Sequence, residues 1–157
     1  MLQRIQTVYL VIAFIAISLL FSRLPIAEFT LINVGNIPLN VISSYQNPDL
    51  SQDVYTNINV LPLMITIAVL LILIIASIIL YGNRPLQLKI TMFAFLLNVV
   101  LIIVMFFTAD NMQNQLNTQA NYKFGAILPL ISLVLIILAS KAIRKDERLV
   151  KGSDRLR

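Results

Sequence analysis

The chain has no cysteine and no histidine, and its 157 residues include only four glycines. Without cysteine there are neither disulfides nor thiolate metal sites, and cysteine usage says nothing of a redox compartment. Without histidine, imidazole ligation of haem, most zinc sites and every Ser–His or Cys–His nucleophile pair are excluded. The glycines, Gly35, Gly82, Gly125 and Gly152, are too scattered to form a phosphate-cradling loop. Charge is also scarce. Charged residues make up 12% of the chain and hydrophobic ones 59%, whereas soluble domains carry about 25% charge. A soluble fold of this length cannot cover so much apolar surface.

What is present in quantity is uninterrupted hydrophobicity. Four runs free of charge stand out: Ile5–Phe21, Val60–Tyr81, Ile90–Thr108 and Phe124–Ser140. A helix of roughly 20 residues crosses the hydrocarbon of a bilayer. Within lipid the backbone must satisfy its own hydrogen bonds, which favours helices. The expected fold is therefore an all-α membrane protein, a bundle of four transmembrane helices forming one integral membrane domain over residues 1–157. The start Met1-Leu2-Gln3-Arg4 is short and basic, as in a signal peptide. No A-x-A pattern follows the first run, however, so the expectation is an uncleaved anchor.

The basic residues divide by segment. Arg4 precedes the first run, Arg84 and Lys89 lie between the second and third, and Lys141, Arg144, Lys145, Arg148, Lys151, Arg155 and Arg157 follow the fourth. The other two connections hold only Arg23 and Lys123. Four spans must alternate sides, so the positive-inside rule predicts both termini in the cytoplasm. Phe21, Tyr81, Phe106, Phe107 and Tyr122 fall at run ends, where aromatic rings favour the headgroup level. Pro62 and Pro129 lie near the outer starts of their runs, where proline suits a first helical turn. Pro129 is deep enough in its run to bend the helix instead.

Two segments are expected outside, residues 22–59 and 109–123. In the first, Glu28–Val34 and Ile37–Ser43 are rich in β-formers. Gly35-Asn36 between them has the form of a two-residue type II′ turn, which predicts a small β-hairpin. Pro38 restricts its strand to an edge, and a hairpin alone is marginal in water, so it needs support from the bundle or a partner. Asn47-Pro48-Asp49 reads as a turn. Ala109–Asn121 is rich in Asn and Gln without notable apolar periodicity, and fits either a polar extension of the third helix or a loop.

Candidate chemistry is sparse. The polar residues singled out within the runs are Ser18, Thr66, Ser77, Thr91, Asn98 and Ser132. Asn98, near the middle of the third run, is expected to bond a neighbouring helix. Serine and threonine can return their hydroxyls to their own helix and carry little information. The acids Glu28, Asp49, Asp53, Asp110, Asp146, Glu147 and Asp154 all fall outside the runs, whereas proton relays and ion-coupled transporters place ionisable groups within the membrane. No spacing recommends a carboxylate pair such as Glu28 with Asp49 or Asp53. If the fourth helix continues through Lys151, then Lys141, Arg144, Lys145, Arg148 and Lys151 share one face. Asp146, Glu147, Ile143 and Val150 then lie opposite. Such a stripe suits anionic lipid headgroups, or a docking partner in the cytoplasm. The net charge of +5 thus points to the membrane surface and not to nucleic acid. No catalytic, cofactor-binding or metal-ligating residue is assigned, and no cofactor is expected.

Two stretches carry a family resemblance. Met1-Leu2-Gln3-Arg4-Ile5-Gln6-Thr7-Val8-Tyr9-Leu10 resembles the opening of a small uncharacterised four-span membrane family of Bacteroidota, a domain-of-unknown-function family. Residues 142–151, reading AIRKDERLVK, with Asp154-Arg155-Leu156-Arg157 are similar to its charged C-terminal signature. The resemblance implies a bacterial inner-membrane protein with cytoplasmic termini and supplies no site residues. The functional expectation is a non-enzymatic scaffold or accessory subunit, with a membrane-protein partner or a second copy of itself. The alternative is a small oligomeric transporter or channel with Asn98 near its pathway. A membrane enzyme ranks third.

Overall fold

A computed structural model describes residues 3–22, 24–31, 35–41 and 60–154. Among these residues the chain forms α1 (Gln3–Ser18), β1 (Ala27–Leu31), β2 (Gly35–Leu39), α2 (Leu61–Ile79), α3 (Arg84–Leu116), β3 (Ala120–Tyr122) and α4 (Leu128–Asp154). Short 3-10 turns at Leu19–Ser22, Leu80–Gly82 and Phe124–Ala126 finish or precede the helices. All four helices are long and apolar enough to cross a membrane. They form a ring in which α1 packs on α2 and α4, and α3 on α2 and α4.

One seam per helix faces the ring's interior. It comprises Gln6, Leu10, Ala13 and Ile17 on α1 with Leu20 in the 3-10 turn that follows, and Leu63, Ile67, Leu70, Ile74 and Ser77 on α2. On α3 it is Gln87, Thr91, Ala94, Asn98, Leu101 and Met105, and on α4 Ser132, Ile136, Ala139, Ile143 and Asp146. Steps of four and three residues alternate throughout, the spacing by which helices keep one edge turned towards a neighbour. Off the seam the surface is apolar and exposed, as at Ile65, Ile72 and Ile79 on α2 and Phe93, Leu96, Ile103 and Phe107 on α3. A bundle with its polar side chains inside and its apolar ones outside suits lipid, where the exterior has no water to meet.

At one end of the ring sits a three-stranded antiparallel sheet in the order β2-β1-β3. The expected hairpin is present, but its turn lies elsewhere. Leu31 stands opposite Gly35, so the connection is residues 32–34, and Gly35 opens β2 with φ +90°. Gly35 and Asn36 are thus strand residues paired with Leu31 and Thr30 and not the turn itself; a glycine of positive φ can begin a strand as readily as it opens a two-residue turn, which is why the dipeptide misled. Pro38 sits opposite Glu28 in the edge strand β2, where its missing N–H breaks no ladder. The turn expected at Asn47-Pro48-Asp49 lies outside the described residues.

The sheet rests on α3. Ala27 and Phe29 of β1 and Ile37 and Leu39 of β2 point to one face and bury Ala109, Met112 and Leu116 of the helix. Period two on the strands thus meets a three-and-four step on the helix. Those three residues also correct the reading of 109–121 as lacking apolar periodicity. They continue the α3 seam through a background of amides, and the helix runs to Leu116 because the sheet covers them. Asn117 ends it at φ 50°, its backbone N–H donating to the Gln113 carbonyl, a left-handed stop that asparagine tolerates. The third strand then pairs Ala120–Tyr122 with β1. Pro129 is the second residue of α4, so it opens the helix and does not bend its middle.

Candidate functional site

Hydrogen bonds along the seam divide into a mid-bundle pair and a cluster at the end away from the sheet. In the middle, the Asn98 Nδ2 donates to Ser132 Oγ at 2.5 Å, joining α3 to α4. The serine hydroxyl in turn donates to the Pro129 carbonyl at 2.9 Å, in the turn where a helical proline removes a backbone donor. Near the far end, Thr91 Oγ1 donates to the Gln87 carbonyl at 2.8 Å and lies 2.7 Å from Ser77 Oγ. A hydroxyl has one hydrogen, so Ser77 is the donor to Thr91. Gln87 Nε2 closes the loop on the Ser77 carbonyl at 3.0 Å. Arg84 Nη1 reaches the Asp146 carbonyl at 3.4 Å, which ties the first turn of α3 to the far part of α4.

Four buried acceptors on the seam have no hydrogen-bond partner: Gln6 Oε1, Gln87 Oε1, Asn98 Oδ1 and Asp146 Oδ2. Asp146 is 6% exposed, which corrects the view that every acid lies clear of the spans and that Asp146 merely backs the basic stripe. Helix α4 runs beyond the charge-free run, and Asp146 falls on its seam one step after Ile143. What this set can do is accept hydrogen bonds within a closed interior. Among the described residues, no three or more His, Cys, Asp or Glu side chains gather where they could hold a metal ion.

The basic stripe lies on the continued helix, as the spacing expected. Lys141, Arg144 and Lys145 are exposed. Arg148 and Lys151 are helical, and their side chains lie outside the described residues. Arg144 turns back along its helix so that Nη2 meets Met92 Sδ of α3 at 3.6 Å. Beneath it a half-open groove of about 380 Å³ separates α3 from α4, lined by Met92, Phe95, Leu96, Ile137, Ser140, Lys141 and Arg144.

At the sheet end, Glu28 of β1 pairs with Nζ of Lys123, the residue after β3, at 3.0 Å. Asp49 and Asp53, the acids considered alongside it, lie outside the described residues. Phe106 meets Tyr122 edge to face, with ring centroids 5.3 Å apart, so two of the aromatics assigned to the membrane surface pack on each other. Gly125 is held against the Pro25 carbonyl, its N–H donating at 3.2 Å.

A family model described as a domain of unknown function (DUF4293) matches residues 2–156. The chain belongs to this family. No curated protein and no solved structure matches it. In this DUF4293 protein the match runs from the start of α1 to the end of the basic tail, so ring and sheet belong to one family unit. Gln87 and Asp146 are the site residues that a charge-based division of the sequence passes over, and Gln6, inside the first run, was not singled out. Their signal was available in the four-and-three step, which places Gln6 on the seam of α1 and carries the seams of α3 and α4 past Lys89 and Lys141 into segments that charge had marked as ends.

Proposed function

We propose that this DUF4293 protein is a non-enzymatic component of the bacterial inner membrane, with cytoplasmic termini, that serves as a scaffold or accessory subunit. The observation that carries the reading is the sheet. Two segments far apart in sequence join in one folded cap, supported by α3 and presenting Thr30, Asn36, Asn121 and Tyr122 on exposed positions. A surface built in this way is held in a fixed shape, as a docking face for a membrane-protein partner or a second copy requires. The division of basic residues, ten against two, favours the cap outside and the basic stripe against anionic headgroups of the inner leaflet.

The transporter alternative draws on one observation, the unpartnered Oδ1 of Asn98 inside the ring. A comparison of complexes separates the two readings. Purification from native membranes in mild detergent should yield a stoichiometric complex that the exposed cap substitutions Asn36→Arg and Asn121→Arg dissolve while helix content is kept. Solute flux in proteoliposomes that a folded Asn98→Ala variant abolishes would replace the scaffold reading with the transporter.

A further inference from the structure

The groove between α3 and α4 has a chemical asymmetry. Its floor and walls are Met92, Phe95, Leu96, Ile137 and the small Ser140, and its rim at the end away from the sheet is Lys141 and Arg144. No acidic side chain lines it. Its volume of about 380 Å³ lies within the roughly 300–1,000 Å³ of ligand pockets. It opens on the exterior of the ring, among the exposed Met92, Leu96 and Leu138, where acyl chains would surround a spanning bundle.

We propose that this groove is a specific site for one anionic glycerophospholipid, its acyl chain laid against Phe95, Leu96 and Ile137 and its phosphate held by Lys141 and Arg144. The proposal rests on the membrane reading above, with the basic end at the inner leaflet, and goes beyond diffuse attraction of the stripe. The geometry of Arg144 distinguishes the two. On a helix the side chain leans towards the N-terminus, which on α4 is towards the sheet and over the groove. The contact with Met92 Sδ holds the guanidinium there, and a thioether is a weak acceptor that takes one of its five N–H donors. The remaining fork suits a phosphate, which it can engage through two parallel bonds. Lys145 is exposed one position further on but does not line the groove. It therefore serves as an internal control with the same charge.

The full-length protein in detergent micelles carrying equal phosphatidylglycerol and phosphatidylcholine of identical chains, analysed by native mass spectrometry, provides the test. The wild type should retain phosphatidylglycerol in preference, and Lys141→Gln and Arg144→Gln should each lower that preference about fivefold. Lys145→Gln should leave it unchanged, and Leu96→Trp, which fills the groove, should release both lipids. Ile137→Phe provides a second filling variant, and circular dichroism checks that each variant keeps its helices. Equal losses from Lys145→Gln and Arg144→Gln would show diffuse attraction and overturn the site. So would undiminished retention in both filling variants, or conversion of a dimer to a monomer by them without loss of lipid. Reversed reporters in a topology assay would overturn the orientation alone, because binding in a mixed micelle has no side.

Discussion

Asn98 sits halfway along a helix whose exterior is apolar, so its carboxamide must find partners within the ring. It gives one hydrogen to Ser132, and a bond of this kind between spanning helices is worth about 0.6–2 kcal/mol. Asn98→Ala should lower stability in detergent by that amount, and adding Ser132→Ala should cause little further loss, a coupling that a double-mutant cycle measures. Additive losses would mean that the pair does not bond in the folded protein. Gly125 makes a different demand. A Cβ there would stand 2.6 Å from the Pro25 carbonyl oxygen and 3.2 Å from the Ile26 Cα, both backbone atoms that cannot swing aside. Gly125→Ala should therefore destabilise the junction of sheet and α4 by about 1–3 kcal/mol, seen as faster proteolysis around residues 22–31 with the helices intact. A mid-run asparagine stands out in a sequence, whereas its serine partner does not, since serine and threonine carry no signal that separates self-bonding from a bond across helices. Asp146 was illegible for a related reason. Charge ended the fourth run at Ser140, and only the seam's stepping shows that the helix keeps an inward edge beyond it.

At the scale of elements, helices were readable because length and apolarity alone suffice to define a span. The hairpin was readable in its two β-rich stretches and in Pro38, while its register was not, because a glycine such as Gly35 can begin a strand or open a turn. The three residues of β3 offered nothing, as Ala-Asn-Tyr has no period to detect and is ordered by pairing with β1. The extension of α3 was hidden among amides, although Ala109, Met112 and Leu116 repeat the seam. Because Met112 is fully buried under Phe29, Ile37 and Leu39, Met112→Ala should weaken the cap by about 2–5 kcal/mol. Hydrogen exchange should show β1 and β2 opening more often while α1 and α2 exchange as before. The partly exposed ion pair of Glu28 with Lys123 should matter far less, with Glu28→Gln changing stability by less than about 1 kcal/mol. If the ranking of those two variants were reversed, the cap would be held by charge and not by packing.

For the molecule as a whole, the seam and the charges point in one direction. Polar side chains are gathered at the interior and the far end, the sheet closes the near end, and among the described residues the basic positions Arg4, Arg84, Lys89, Lys141, Arg144, Lys145, Arg148 and Lys151 fall on the helix ends away from the sheet. If the ring crosses a membrane, the sheet and the basic tail lie on opposite faces, and the placement of the cap and the stripe in the scaffold reading depends on which face is which. Reporter fusions in a bacterial host measure this directly. Fusions after Lys89 and after Arg157 should be active only as cytoplasmic reporters, and one after Gln46 only as a periplasmic reporter. A periplasmic reporter active after Arg157, with the cytoplasmic one silent there, would contradict the account.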